Sequence, residues 1–144
     1  MDNGETKITQ GATPKSSSGR PNALVWTGRV LSALAVFFLA FSGIMKVMQP
    51  QQVTEGFAQL GYPENVAVPI GLVEVTCAIL YAIPQTAVFG AILLTGYLGG
   101  ATATHVRMSE PFFAPILMGV VIWIALCLRD PQVRRAIFGR FGAR

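Results

Sequence analysis

Residues 66–106, VAVPIGLVEVTCAILYAIPQTAVFGAILLTGYLGGATATHV, contain two long apolar segments joined by a short turn. Segment 66–83 ends at Pro84, and segment 87–106 begins directly after Thr86. Because a helix rises about 1.5 Å per residue, 18 residues cover about 27 Å, close to the roughly 30 Å hydrocarbon core of a bilayer. The stretch therefore predicts two antiparallel membrane-spanning helices.

Two further apolar segments, residues 24–46 and 112–128, flank this pair. Pro115 stands in the first turn of the last segment, where proline is tolerated. A cleaved signal peptide is the competing interpretation of the first segment, but its small-residue site at Ala40 and Ser42 falls inside the apolar stretch. We expect an all-α fold, a transmembrane four-helix up-down bundle with both termini cytoplasmic.

The composition supports a membrane protein. Of the 144 residues, 52% are hydrophobic and 12% are charged, and the mean hydropathy is +0.52. About a quarter of the residues are charged in an ordinary soluble domain, and four such apolar segments leave too little polar surface for solubility. The net charge of +4 does not indicate nucleic-acid binding, because the basic residues lie mostly in the two tails.

The distribution of cations predicts the orientation. Each outer loop holds one cation, Lys46 or Arg107, whereas the tails and helix ends on the other side hold Lys7, Lys15, Arg20, Arg29, Arg129, Arg134, Arg135, Arg140 and Arg144. Cytoplasmic loops carry the excess of lysine and arginine. We expect a multi-pass protein of the cytoplasmic (inner) membrane, with both the N-terminus and the C-terminus inside.

Three regions follow from these patterns. Residues 1–21 form a basic tail with too little apolar surface to fold, and we expect it to be disordered. Residues 22–129 form the four-helix transmembrane domain. Residues 130–144 form a basic tail that alternates arginine with apolar residues and is expected to lie on the membrane surface.

Small residues in segment 87–106 predict helix packing. Gly96, Gly99 and Gly100 allow helix backbones to approach closely in lipid, so we expect this helix at the centre of the bundle. The loop 50–62 carries Val53, Phe57 and Leu60 at helical spacing, which predicts an amphipathic turn on the outer face. Such a turn either covers a cavity or rests passively at the interface.

Glu74 is the sharpest functional signal, because it lies about 12 Å inside segment 66–83, where an unpaired charge is expensive. Lys46 and His105 are its candidate partners, since their helices end on the outer side, and Tyr97 precedes His105 on the same helix. We predict ligand binding by Lys46, Glu74, Tyr97 and His105. In the structural alternative, Lys46 snorkels to the headgroups, His105 caps its helix, and a neutral Glu74 pins the bundle.

No complete catalytic motif is present, and we assign no catalytic residue. One histidine and one glutamate are too few for a metal site, so none is predicted. Cys77 and Cys127 stand alone in apolar segments and are interpreted as small buried hydrophobic residues.

Five stretches resemble the DoxX-like family of small four-helix bacterial membrane proteins: FSGIMK (41–46), EGFAQLGYP (55–63), GLVEVTCAILYAIP (71–84), AILLTGYLGGATATHVR (91–107) and LRDP (128–131). The resemblance implies a four-helix bundle in the cytoplasmic membrane. It also implies kinship with a wider group that includes a subunit of a thiosulfate to quinone oxidoreductase, so quinone is a cofactor by family analogy only.

Three functional hypotheses remain open. The leading one is an accessory or subunit protein without independent catalysis, which binds a small amphiphilic ligand, quinone among the candidates, beside a membrane redox partner. The second is a small proton-coupled transporter that works as a homo-oligomer. The third is a structural or assembly factor that binds no ligand.

Overall fold

The computed structural model describes residues 23–139, apart from the side chain of Glu64, and every regular element in that part of the chain is helical. The predicted disordered tail, residues 1–21, and residues 140–144 of the predicted surface tail lie outside the described residues. The helices are α1 (Ala23–Met48), α2 (Gln51–Gln59), α3 (Ala67–Ala82), α4 (Ala87–Arg107), α5 (Phe113–Arg129) and α6 (Pro131–Phe138), and a 3-10 turn, Glu64–Val66, precedes α3.

Local chemistry explains where these helices end. Gln49 takes a left-handed conformation with φ of 47°, which ends α1. Ile83 is extended because it precedes a proline, and this ends α3. The Asp130 side chain accepts hydrogen bonds from the backbone amides of Gln132 and Val133, at 2.8 and 3.3 Å, and so caps the start of α6.

The four long helices pack in a ring. α1 packs against α3 and α5, and α4 packs against the same two helices from the other side. The core contains mostly aliphatic side chains together with Tyr81, which is fully buried. α6 turns away from α5 by 109°.

Glycines set three of the four helix contacts. A methyl group built on Gly71 of α3 lies 2.6 Å from the Gly43 carbonyl oxygen of α1, so these two backbones meet. Gly90 of α4 packs in the same way on the backbone of Tyr81, and Gly28 of α1 packs on that of Arg129. Substituting a larger residue at any of these positions forces the helices apart.

Gly96, Gly99 and Gly100, predicted to mediate helix packing, make no close helix contact within the described chain. A methyl group built on any of the three meets no heavy atom of the described chain within 4 Å. These glycines leave open space beside α4, and α4 is one wall of the ring rather than its centre. The reason is that α4 makes its close approach one and a half turns earlier, at Gly90.

Two of the described helices, α1 and α4, are long and apolar enough to cross a membrane, and α5 with α6 makes a third candidate if the bent pair is one span. α3 is a shorter apolar helix of 16 residues. Large apolar side chains point outward from the long helices, among them Phe37, which is 71% exposed, and Leu117, which is 64% exposed. Such a continuous apolar exterior is typical of a surface in contact with lipid.

Candidate functional site

An ion pair links α1 to α3 in the interior of the ring. The Lys46 Nζ atom lies 2.7 Å from Oε2 of Glu74 and donates a hydrogen bond to it. Nζ also donates to the Ser42 hydroxyl at 2.6 Å, and that hydroxyl donates to the same carboxylate oxygen at 3.5 Å. Glu74 is only 3% exposed, so its charge is balanced almost entirely by these two neighbours.

The helix crossing explains why the pair forms. Lys46 lies one turn after Gly43 on α1, and Glu74 lies one turn after Gly71 on α3. The two helices run in opposite directions, so Lys46 and Glu74 lie on opposite sides of the glycine contact. Because helical side chains tilt toward the N-terminus of their own helix, both side chains point back toward this contact and meet there. The two glycines are therefore positioning residues for the ion pair.

Tyr97 approaches the same carboxylate from α4. Its hydroxyl interacts with Glu74, and Tyr97 and Lys46 line the same interior space. Gly100, Ala101 and Thr104 follow on the same wall, all of them small, and the wall ends at His105, about 12 Å further along the helix.

His105 contributes an unsatisfied polar atom. Its Nδ1 atom is buried and has no hydrogen-bond partner among the described residues. Buried polar atoms are normally paired, and a lost partner costs roughly 1–3 kcal/mol. The backbone carbonyl of His105 does cap the end of α4 by accepting from Glu110 at 2.9 Å, but its imidazole faces the interior.

These side chains line one cavity of about 470 Å³, a volume ordinary for a small-molecule site. Its walls come from α1, α3, α4 and α5, and the rest of its lining is mainly apolar, including Leu39, Ile70 and Met118. All four residues predicted to bind a ligand, Lys46, Glu74, Tyr97 and His105, are brought together here.

The loop after α1 covers the outer end of the cavity. Phe57 of α2, Leu60 and Tyr62 all line the cavity, and the Tyr62 hydroxyl is hydrogen-bonded to that of Thr104 at 2.6 Å. Arg107 donates to the Leu60 carbonyl oxygen at 3.2 Å. Two side-chain bonds thus hold this segment on the end of α4.

A second groove of about 430 Å³ lies between α4 and α5 and is almost wholly apolar. It is lined by Gly99, Thr102 and Trp123, whose indole donates to Thr95 at 2.9 Å. Gly99 therefore faces a different space from Gly96 and Gly100, which line the first cavity.

Sequence reasoning left open whether the outer loop covers a cavity, and it missed the contribution of α5. The hydrophobic spacing of Val53, Phe57 and Leu60 does signal an amphipathic segment, but it does not show which surface the segment covers. Pro115 and Met118 of α5 line the cavity and carry no pattern that separates them from ordinary apolar residues.

Tyr81 belongs to a separate polar network near the opposite end of the ring. Its hydroxyl donates to the Ile122 carbonyl oxygen at 2.9 Å and lies 3.2 Å from the Ser32 hydroxyl. Arg129 donates to the Tyr81 carbonyl oxygen at 2.6 Å and stacks over its ring at 4.5 Å. These bonds join α1, α3 and α5 without lining the cavity.

Comparison with known proteins decides the family. The family model described as the DoxX-like family matches residues 30–128, which is more than half of the chain. The chain belongs to the DoxX-like family. No curated protein and no solved structure matches it.

Family membership and the apolar helices together identify a membrane protein. The match includes every helical residue that lines the cavity of this DoxX-like protein, from Phe38 to Met118. The cavity therefore lies wholly within the family domain.

Proposed function

We propose that this DoxX-like protein binds a small amphiphilic ligand in the cavity around Lys46 and Glu74, as an accessory or subunit protein without independent catalysis. One observation carries the proposal: four polar side chains from three helices converge on one mainly apolar cavity, and one of their atoms, His105 Nδ1, is buried without a partner. Convergent polar groups in an apolar cavity are the usual signature of a binding site.

The proposed setting is a four-helix up-down bundle in the bacterial cytoplasmic membrane. α3 covers about 24 Å, and the 3-10 turn before it adds about 6 Å, so the two together match the hydrocarbon core. α5 covers about 26 Å, and its exposed Leu117 and Val120 suit contact with lipid.

Both termini are proposed to be cytoplasmic. Arg29, Arg129, Arg134 and Arg135 lie at one end of the ring, and Lys46 and Arg107 lie at the other. The bend before α6 suits a helix that rests on the membrane surface with its arginines at the headgroups. A fluorescent protein fused to the C-terminus should fluoresce in the cytoplasm, and activity of a periplasmic phosphatase fused there would contradict this orientation.

A quinone-type ring suits the groups present. The Lys46 ammonium is a donor for a carbonyl oxygen, and the oxygen of the Tyr97 hydroxyl accepts from a ring hydroxyl. The imidazole of His105 exchanges a hydrogen bond with a ring hydroxyl, and the apolar walls contact the ring. In this proposal quinone supplies the redox chemistry beside a membrane redox partner, and the residues of this chain hold and orient the ring.

The experiment is solvent extraction and mass spectrometry of the purified protein, comparing wild type with Glu74→Gln and His105→Ala. Loss of a lipophilic molecule from folded variants, after its retention by wild type, would support the site. If all three proteins yield only bulk lipid, the proposal fails, and the ion pair is a structural pin between α1 and α3.

A further inference from the structure

The charges inside the cavity already cancel. Among the described lining residues, Lys46 and Glu74 form an ion pair, with Nζ and Oε2 2.7 Å apart. The Lys46 ammonium is further occupied by Ser42. The described lining holds no other lysine, arginine, aspartate or glutamate to balance the charge of a ligand.

A charged headgroup would therefore enter at high cost. It would either lie in an apolar cavity without a counter-ion, or it would break the existing pair and strand the other partner. An uncharged headgroup avoids both costs, because the ion pair stays closed while the ligand binds beside it.

His105 lines the cavity, and its buried Nδ1 atom has no hydrogen-bond partner among the described residues. A ligand group that draws this imidazole toward the cavity would supply the partner. A neutral imidazole nitrogen either donates or accepts, depending on where its proton lies. A hydroxyl group both donates and accepts, so it satisfies Nδ1 in either tautomer. A carbonyl only accepts and an ammonium only donates, so each satisfies one tautomer.

The other lining residues describe the body of the ligand. Phe38, Leu39 and Met118 present hydrocarbon surface below the polar groups, and Phe57 and Leu60 close the cavity from the outer loop. Burial of apolar surface against these side chains supplies the main part of the affinity.

We infer that the cavity selects uncharged amphiphiles that carry a hydroxyl group, and that His105 is the residue that determines this specificity. The inference rests on the proposed function, since it names the ligand class of the same cavity. It extends that function by excluding carboxylates and amines of the same size as ligands.

Three probes with the same tail and different headgroups test the inference. We would titrate para-heptylphenol, para-heptylbenzoate and para-heptylbenzylammonium into the full-length protein in nanodiscs, with protein-free discs of the same lipid to subtract partitioning. The phenol should bind, and each charged probe should bind at least about tenfold more weakly.

His105 variants test the specificity residue. His105→Phe should weaken phenol binding about tenfold, whereas His105→Asn, which keeps a donor and an acceptor, should retain most of it. Thr102→Val, in the second groove, is the matched control and should bind like wild type.

The outcomes separate the two claims. If wild type binds none of the three probes, the proposed function and the inference both fail. If a charged probe binds as tightly as the phenol, the cavity is still a binding site but the inference about its ligand class is wrong. Equal phenol binding by wild type and His105→Phe would show that His105 does not determine the specificity of the cavity.

Discussion

At the scale of single residues, the closed ion pair between Lys46 and Glu74 dominates the energetics of the site. The two partners are buried unequally: the Glu74 side chain is 4% exposed, and that of Lys46 is 19% exposed. Lys46 lies two residues before the end of α1, so its flexible stem reaches the outer interface when the pair is broken. The shorter, buried side chain of Glu74 cannot reach the interface in this way.

This asymmetry predicts an order of stabilities. Lys46→Met strands a buried carboxylate and should destabilise the protein by about 3–5 kcal/mol. Glu74→Gln leaves a lysine that can snorkel, and it should cost less. The double variant Lys46→Met with Glu74→Met should recover most of the loss, because two apolar side chains leave no buried charge.

Thermal unfolding in one detergent measures this order. Wild type and the double variant should unfold at similar temperatures, with Lys46→Met lowest and Glu74→Gln between. A double variant that is less stable than Lys46→Met would contradict the account, since the pair would then contribute more than charge balance.

At the scale of elements, the outer loop is the part of the cavity wall that lies outside the four long helices. Gln49 and Gly61 both have positive φ, 47° and 74°, and they bracket α2. Leu60 and Tyr62, on either side of Gly61, are held on α4 by the Arg107–Leu60 and Tyr62–Thr104 hydrogen bonds. The outer loop therefore covers the cavity with a turn at each end of α2 and with two hydrogen bonds to α4.

Breaking these two bonds should open the cavity to the aqueous phase. In a background with Cys77→Ala and Cys127→Ala, Ala101→Cys places a thiol in the cavity wall. Tyr62→Phe with Arg107→Gln should speed its reaction with a membrane-impermeant thiol reagent by about fivefold for each bond lost.

The control for this measurement is a cysteine at the next residue of α4. Thr102→Cys faces the second groove, so its rate should not change when the loop bonds are removed. Equal acceleration at both positions would mean that α4 itself has loosened. No acceleration at Ala101→Cys would mean that the loop does not cover the cavity.

The sequence predicts the helices because residues with known backbone preferences mark their ends. Pro84 ends α3, and Gln49, which precedes Pro50, ends α1. It also points to the four cavity residues, because ionisable side chains stand out against apolar segments. It does not show which glycine is a contact. Gly71 and Gly96 look alike in the sequence, and only the helix crossing makes the first a contact and leaves the second facing open space.

At the scale of the whole molecule, the two ends of the helix ring differ in what lies between the helices. Near the arginine-rich end, the Ser32–Tyr81–Arg129 network ties α1, α3 and α5 together. Near the other end, the ion pair lines a cavity of about 470 Å³. In the proposed function, the first end stabilises the fold and the second binds the ligand.

Two glycines on α4 allow a larger side chain to be placed either in the cavity or in the second groove without disturbing the ring. Gly100 faces the cavity, Gly99 faces the second groove, and a methyl group built on either meets nothing within 4 Å. Leucine in place of either glycine also favours the helix by a similar amount, about 0.8 kcal/mol. The two variants therefore differ mainly in which space the new side chain occupies.

The most direct test of the binding site is native mass spectrometry of wild type, Gly100→Leu and Gly99→Leu released from the membrane under the same conditions. The account predicts a bound small molecule on wild type and Gly99→Leu and its loss from Gly100→Leu, with all three proteins folded. Retention of the molecule by Gly100→Leu, or a bare protein in all three spectra, would contradict the claim that this cavity is the functional site.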